Sequence, residues 1–352
     1  MTTTLPTSQS PDVSPAHHLL AMMFGTVQAQ LVRVAAQLRI ADHLKDGPQP
    51  IAALAAATGI PPLALARVLR ALADLGLVLE TETDQFTCTP MGELLRSDTS
   101  DSLRNYALLT GSEWIVQPWP RLLESLQTGT SAFEQVFGLP LYAYIQQHQD
   151  AAAIFNDALT AISRQEAIIL RDVYDFSAVR TVVDVGGGQG LVLATLLDTY
   201  PSLHGTLLDL PPAVAGAQAV LQHFIASGRC QLQSGDFFRS VPVGGEVYLL
   251  KRILPAFNDT QALTLLRNCR EAMTSESRLL VADPDTSSLY GRLFDIAMLG
   301  IFDGRLRTDA ELQELFAGAG LTLTRAIGTR STLRLVEGVP IERLSDGGTR
   351  MK

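Results

Sequence analysis

Hydrophobic residues recur at helical spacing through the first part of the chain. Between residues 17 and 40 they stand three or four positions apart, which predicts one or two amphipathic helices. These positions are Leu20, Met23, Val27, Leu31, Val34 and Leu38. Residues 51–79 predict two further helices, because Gly59 is suited to end the first and Pro61–Pro62 to begin the second.

The pattern changes at residues 76–90, where polar and apolar side chains alternate as in a β-hairpin. Two helices followed by a hairpin are typical of the winged-helix arrangement. A DNA-reading helix needs polar reach and a basic surround, yet the second helix offers only Arg67 and Arg70 as cations. We therefore interpret residues 17–105 as a winged-helix domain for packing and dimerisation.

The rest of the chain predicts an α/β domain over residues 106–340. Residues 112–163 should be helical, with large aromatic side chains suited to a core or to a substrate pocket. From residue 180 onward apolar strands alternate with helices, which predicts a parallel sheet covered on both faces. The predicted strands are 181–185, 205–210, 230–233, 246–250 and 278–283, with a closing hairpin at 321–328 and 331–338.

The composition agrees with two folded domains. The chain has 352 residues, of which 47% are hydrophobic and 18% are charged, so a sizeable core can form. Its net charge of −9 argues against non-specific nucleic-acid binding, which requires a basic surface. Residues 1–16, which do not resemble a signal peptide, and residues 341–352 are expected to be flexible tails.

Neither a membrane span nor a metal site is expected. Prolines and arginines interrupt the most apolar region, residues 51–79, so it is unsuited to a bilayer. Cys88, Cys230 and Cys269 are far apart and match no metal-binding spacing. We expect reduced thiols and a cytoplasmic location.

The sequence VVDVGGGQG, residues 182–190, ends the first predicted strand of the sheet. Glycines there let the backbone turn tightly and approach a ligand, and their spacing fits a nucleoside-containing ligand without a pyrophosphate. The next strand ends at Asp209, where a carboxylate can accept ribose hydroxyls. Asp236 and Phe237 follow the third strand and suit the amino group and the face of an adenine.

These motifs, with FNDALTAIS, LLDLPP, GDFF and GRLRTDAELQELFAGAGL, resemble the S-adenosylmethionine (SAM)-dependent small-molecule O-methyltransferases of plants and bacteria. The resemblance covers nearly the whole chain. It implies a Rossmann-like, seven-stranded methyltransferase domain, an N-terminal winged-helix domain that forms a homodimer, and SAM as cofactor. It places Gly186 under the methionine part, Asp209 and Leu210 at the ribose, and Asp236 and Phe237 at the adenine.

The same resemblance implies further site residues. Lys251 and Ser163 would approach the methionine end of SAM, and Phe257 stands where the family usually has a tryptophan against the adenine. An apolar pocket would accept an aromatic or polyene substrate. Its lining residues would be Trp114, Phe133, Leu159, Ile162, Phe294, Met298 and Phe302.

The segment LLKRILPAFND, residues 249–259, lacks the acid–base group expected there. Family members that methylate phenols typically read LKxxLHDWxD, and the histidine removes the proton of a hydroxyl whose pKa is roughly 10. Here Pro255 replaces the histidine and Ala256 the next aspartate. Of the two orienting acids, one survives as Asp283, the candidate catalytic residue, and Leu306 replaces the other. Asp283 could equally be a strand-end cap.

These features leave three functions open. The favoured one is methyl transfer to a small, largely apolar aromatic or polyketide-like metabolite whose nucleophile needs alignment more than a general base. The second is a pericyclic cyclisation or hydroxylation without methyl transfer, in which the sulfonium stabilises developing negative charge. The third, a SAM-sensing winged-helix regulator, is disfavoured by the acidic charge of the chain.

Overall fold

The computed structural model describes residues 14–329 and 331–341, so most of both predicted tails lies outside the described residues. The chain divides into two compact units between Ser112 and Glu113. Each unit has its own hydrophobic core.

The first unit contains seven helices and a three-stranded sheet among its described residues. The elements are α1 Pro15–Met23, α2 Gly25–Gln37, α3 Ile40–His43, β1 Gln49–Pro50, α4 Ile51–Thr58, α5 Pro62–Asp74, β2 Val78–Glu82, β3 Gln85–Cys88, α6 Pro90–Glu93 and α7 Arg104–Thr110. The antiparallel order of the strands is β1-β3-β2. This arrangement of helices and hairpin confirms the winged-helix prediction.

Local sequence explains how the elements of this unit begin and end. Gly59 follows α4 with a φ of 72°, a conformation that glycine adopts without strain. Pro62 begins α5, where its fixed φ favours the first helical turn. Helix α1 begins at Pro15, inside the tail expected over residues 1–16, because Ser14 caps its first turn.

Helix α7 belongs to the first unit. Nε of Arg104 donates to the carbonyl oxygen of Ala36 at 3.0 Å, and Nε2 of Gln30 donates to that of Gly111 at 3.1 Å. These bonds join α7 and the residue after it to α2. The division of the chain therefore falls after α7, whereas the expected boundary after residue 105 would cut this helix.

The second unit opens with the helices predicted for residues 112–163. They are α8 Glu113–Val116, a 3₁₀ turn Trp119–Arg121, α9 Leu122–Thr128, α10 Ala132–Phe137, α11 Leu141–Gln147 and the long α12 Gln149–Val173.

A seven-stranded sheet follows, as the resemblance implied. Its strands are β4 Thr181–Val185, β5 His204–Asp209, β6 Cys230–Ser234, β7 Val247–Lys251, β8 Arg278–Pro284, β9 Leu321–Gly328 and β10 Leu333–Pro340. The spatial order is β6-β5-β4-β7-β8-β10-β9, and among these described strands β10 alone runs antiparallel to the others. The strand order reverses at β4, and ligands of such sheets bind at the carboxyl ends of the strands there.

Helices connect the strands and cover the sheet. They are α13 Leu191–Thr199, α14 Pro211–Ala226, a 3₁₀ turn Leu254–Ala256, α15 Asp259–Ala272, α16 Leu289–Ala297, a π-helical turn Met298–Phe302 and α17 Asp309–Gly318. Two buried apolar clusters pack around the sheet, one including Leu193, Leu207 and Leu249 and the other including Leu250 and Phe316. These cores hold the carboxyl ends of β4, β5 and β7 in fixed positions.

Within the described residues, no single helix has the length and apolar character needed to cross a membrane. Two bent pairs, α1 with α2 and α4 with α5, do meet those requirements when each pair is taken together.

Candidate active site

The glycine turn after β4 packs closely against two neighbouring side chains. Gly186 has a φ of 75°, and a Cβ added there would lie 2.4 Å from Cδ1 of Ile253 and 3.5 Å from Cε1 of Phe237. A side chain at this position would therefore be strained and would collide with a neighbour. The turn also places Gly186 beside Phe237.

Asp209, at the end of β5, fastens the turn to the next strand. Its Oδ2 accepts from the backbone N–H of Gly188 at 2.8 Å, and its Oδ1 accepts from that of Leu210 at 2.6 Å. Burial raises the pKa of this carboxyl, while the two backbone hydrogen bonds oppose the rise. Each carboxylate oxygen keeps acceptor capacity for a ligand hydroxyl, which fits the predicted ribose contact.

Beyond β6 three phenylalanine rings form an aromatic group that includes Phe237, the residue predicted to contact the adenine. The ring of Phe237 lies 4.8 Å from that of Phe238 and 5.9 Å from that of Phe257, measured between centroids. Oδ1 of Asp236 accepts from the N–H of Phe238 at 2.9 Å, which holds the carboxylate at the start of this turn. An acid beside aromatic rings is a suitable partner for an adenine.

Lys251, the last residue of β7, meets α12 in a charged cluster. Its Nζ donates to Oγ of Ser163 at 3.0 Å and to Oε2 of Glu166 at 3.1 Å. Nη2 of Arg252 lies 2.6 Å from the other oxygen of Glu166. The structure thus brings together the two residues predicted for the methionine end and adds two that were missed.

A helical signal could have revealed Glu166. It stands three residues after Ser163 on α12, so both side chains project from the same face of that helix. Its side chain is only 5% exposed, and a buried glutamate requires partners. Lys251 and Arg252, two consecutive cations at the end of β7, could have been recognised as those partners.

Asp184 is a second buried carboxyl of this region that was not among the predicted site residues. It is 2% exposed, and its Oδ2 accepts no hydrogen bond from any described residue. Burial raises its pKa to about 7, although the charge of Lys251 opposes this. A Cβ on Gly187 would lie 2.6 Å from Oδ2 of Asp184, so this carboxyl fills the space under the glycine turn.

Pro255, Asp283 and Leu306, which occupy the expected acid–base positions, line one small pocket with Arg307 and Arg334. Asp283 is 7% exposed, and its Oδ1 accepts no hydrogen bond from the described residues. Burial raises its pKa to about 7 despite the opposing charges of nearby arginines. The structure thus brings the three expected acid–base positions together, with one titratable carboxyl beside two buried apolar residues.

The apolar replacements are built into the packing. The backbone N–H of Leu306 donates to Oδ1 of Asp295 at 2.6 Å. Arg307 donates from its guanidinium to the carbonyl oxygens of Leu254 and Phe257, both at 2.8 Å. A Cβ on Gly304 would lie 2.0 Å from the carbonyl oxygen of Pro255, so the two segments touch backbone to backbone.

Several side chains of the predicted substrate wall are in contact with other aromatic rings. The ring centroid of Phe302 lies 5.9 Å from that of Tyr142 and 6.4 Å from that of Phe155. Trp114 stacks on Tyr144 at 6.0 Å.

The remaining wall candidates differ in accessibility. Leu159 is exposed, whereas Ile162 and Phe294 are half-buried, and Arg252 lies over the ring of Phe294 at 4.9 Å. Phe133 has no exposed surface and Met298 is 4% exposed, so in this structure both pack behind the wall. Sequence could not separate the two groups, because core and pocket use the same side chains.

The described residues include no group of three or more His, Cys, Asp or Glu arranged to hold a metal ion. The glycine turn, the Asp209 carboxylate and the aromatic group together form a crevice that fits a nucleoside ligand.

The seven-stranded sheet with one antiparallel strand, together with this crevice, defines a SAM-dependent methyltransferase. Two family matches sharpen this class: the O-methyltransferase domain over residues 119–322 and the O-methyltransferase dimerisation domain over residues 20–98. The chain belongs to the O-methyltransferase family, is an enzyme and uses SAM, which confirms the predicted family, fold class and cofactor.

Relatives in sequence and structure agree. The phenazine O-methyltransferase PhzM of Lysobacter antibioticus is 39% identical over 327 residues, which are 92% of this chain and 96% of that protein. The 8-amino-8-demethylriboflavin N,N-dimethyltransferase of Streptomyces davaonensis is 33% identical over 90% of this chain and 93% of its own. CalO1, a methyltransferase in calicheamicin biosynthesis, matches in its SAH-bound form with a TM-score of 0.83, 36% identity, and coverage of 94% of this chain and 100% of its own. All three are methyltransferases by name, which supports the first of the three functions.

Proposed function

We propose that the enzyme transfers a methyl group from SAM to an oxygen or nitrogen of a small, largely apolar aromatic or polyketide-like metabolite whose nucleophile needs little general-base help. The observation that carries this proposal is the pocket in which Pro255 and Leu306 flank Asp283. The named substrates of the relatives, a phenazine and an amino-riboflavin, support an aromatic acceptor and both acceptor atoms.

Within this proposal, the bound cofactor supplies an electrophilic methyl group, and the chain supplies position. Asp209 and the glycine turn would hold the nucleoside, while Tyr142, Phe155 and Phe302 would orient an aromatic ring and exclude water. Alignment of this kind can lower a reaction barrier by ~7–11 kcal/mol.

The acid–base region restricts which nucleophiles suit the site. Several kinds of nucleophile carry an available lone pair near neutral pH without a protein base. They are neutral aromatic amines, ionised acids, and acidic phenols or enols. We propose Asp283 as the candidate catalytic group that takes up any proton released on methylation, because its pKa of about 7 leaves part of it ionised at neutrality.

A paired substrate panel tests the proposal. Each aromatic scaffold is supplied as an ordinary phenol, as a nitro-substituted acidic phenol and as an amine, and S-adenosylhomocysteine (SAH) and methylated product are measured by mass. We expect turnover of acidic phenols or amines and at least tenfold less of their ordinary phenol partners. Equal rates for ordinary and acidic phenols would contradict the proposal, as would a substrate converted without SAH formation.

We also propose a homodimer through the dimerisation domain. Helix α1 and the start of α2 expose a row of large apolar side chains, and a contiguous patch of this kind marks an interaction surface. The residues are Leu19, Leu20, Met22, Met23, Phe24 and Val27. Light scattering should give a dimer mass for the wild type and a monomer mass for Leu20→Asp with Phe24→Asp, whereas Leu63→Asp, at another exposed leucine, should stay dimeric.

The other partner and location expectations stay predictions. The ion pairs of Arg70 argue against DNA binding by the second helix. Nη2 of Arg70 lies 3.3 Å from Glu80 and 2.9 Å from Asp84, so its charge is already paired within the domain. The cytoplasmic location and the absence of nucleic-acid, membrane and metal partners remain to be tested.

A further inference from the structure

The cluster of Glu166, Lys251 and Arg252 contains one carboxylate and two cations. Oε2 of Glu166 accepts from Lys251 at 3.1 Å, and Oε1 accepts from Nε of Arg252 at 2.7 Å. The glutamate is 4% exposed, and the backbone of Arg252 has a φ of 56°, which is uncommon for a residue with a side chain. Both oxygens of Glu166 are thus committed to orienting two cations at the end of β7.

Glu166 is also the carboxyl of this region that stays ionised. Its burial opposes ionisation, but the charges of Arg252 and Lys251 outweigh that effect and hold its pKa below the usual value. Burial has the opposite outcome at Asp184 and Asp283, whose pKa values rise to about 7. Near neutral pH, Glu166 therefore carries the most complete negative charge near Lys251 and Arg252.

This charge matters because the cofactor and its product differ by one positive charge. SAM carries a sulfonium, whereas SAH is a neutral thioether, and the two share every other group. In a partly buried crevice, a nearby unbalanced cation disfavours the sulfonium and leaves the thioether nearly unaffected. Without a counter-charge, Lys251 and Arg252 would shift the preference of the crevice from the substrate toward the product.

We propose that Glu166 is a positioning residue and counter-charge that sets the preference of the crevice for SAM over SAH. It holds Lys251 against Ser163 and offsets part of the positive charge that would otherwise repel the sulfonium. The inference rests on the proposed location of the methionine end of SAM beside Lys251.

Calorimetric titration of the full-length protein with SAM and with SAH tests this inference. For Glu166→Gln, which keeps the size and hydrogen-bonding ability, we expect the ratio Kd(SAM)/Kd(SAH) to rise about three- to tenfold over the wild type. Glu166→Asp keeps the charge and should bring the ratio back toward the wild-type value. Equal weakening of both ligands by Glu166→Gln would show a purely structural role and overturn the proposal.

A second variant keeps the proposal falsifiable if Glu166→Gln does not fold. Lys251→Met removes a cation and should move the ratio in the opposite direction, whatever its effect on either affinity alone. An unchanged ratio, or a rise, would contradict the counter-charge argument.

Asp209→Ala separates this inference from the assignment of the site. It removes a contact to the ribose that both ligands share, so it should weaken SAM and SAH equally. If Asp209→Ala leaves both affinities unchanged, the cofactor location is wrong. If Asp209→Ala weakens both while the Glu166 and Lys251 variants leave the ratio unchanged, the location stands and the role of Glu166 is wrong.

Discussion

The proposed cofactor end and the proposed acid–base end of the sheet lie along the same carboxyl edge, yet Asp209 and Asp283, the carboxyl groups assigned to them, are held differently. At the cofactor end, both oxygens of Asp209 accept backbone hydrogen bonds that tie β5 to the glycine turn. At the acid–base end, Asp283 is buried between Pro255 and Leu306 with one oxygen unpartnered by the described residues. The first arrangement prepares a binding site, whereas the second leaves a carboxyl that titrates near neutrality.

From this contrast we propose that ligand binding and proton uptake involve different carboxyl groups of the same edge. The apolar replacements do not leave a loose region, because Arg307 binds two carbonyl oxygens of the turn after β7 and Leu306 donates to Asp295. A well-packed turn that lacks a base fits a reaction in which alignment does most of the chemistry.

The largest effect should come from the cofactor end. Asp209→Ala removes the proposed acceptor for the ribose hydroxyls and releases the N–H of Gly188, which destabilises the turn. Hydrogen bonds to a charged group contribute ~1.5–3 kcal/mol, so we expect SAM binding to weaken about 10- to 100-fold by calorimetry. Asp198→Ala, at an exposed carboxylate on α13, is the matched control and should bind normally. Unchanged affinity in Asp209→Ala would remove the basis of the comparison.

Asp283→Asn tests whether the carboxyl at the acid–base end is costly to ionise. A pKa raised from 3.8 to about 7 in the folded state stabilises the protein below pH 3.8, and this contribution is lost as the pH rises through 7. The variant lacks this loss, so its stability relative to the wild type should increase as the pH rises through 7.

Denaturant unfolding of both proteins across this pH range measures the difference. We expect the stability of the wild type minus that of the variant to fall as the pH rises. A difference that is constant with pH would mean that Asp283 ionises normally, and its proposed role in taking up a proton would then lose its support.

A smaller effect is expected at the aromatic wall, which both ends of the site share. Phe302→Ala removes ring contacts with Tyr142 and Phe155, which we propose orient the substrate. Aromatic contacts contribute ~0.5–1.5 kcal/mol, so KM for the acceptor should rise about two- to tenfold. The Kd for SAM is the internal control and should not change. A loss of SAM affinity equal to the rise in KM would place Phe302 outside the acceptor pocket.

The smallest effect should follow from restoring the acid–base residues. Pro255→His with Leu306→Glu places an imidazole and an acid beside Asp283, and general-base catalysis typically contributes ~10²–10⁴-fold where a reaction needs it. We expect no gain in turnover on the native substrate, because the proposed nucleophile is already available. A tenfold rise would show that the enzyme is an impaired phenol methyltransferase and would erase the contrast between the two ends.

Local pattern explains what the sequence predicted well. Strands β4 and β9 have the predicted bounds. These elements are governed by side-chain periodicity and by glycine and proline at their ends, which are readable from neighbouring residues. The start of α1 was missed because a serine cap preceded the apolar pattern.

The sequence by itself determined the family, the order of strands and helices, the glycine turn and the absence of a histidine at position 255. Only the tertiary structure decided that Glu166 binds cations 85 and 86 residues away, that Phe133 is fully buried, and that Asp283 titrates near neutrality. Local conformation depends on neighbours along the chain, whereas burial and charge pairing depend on segments that packing brings together. The chemistry of this site therefore follows from burial at the carboxyl edge of the sheet.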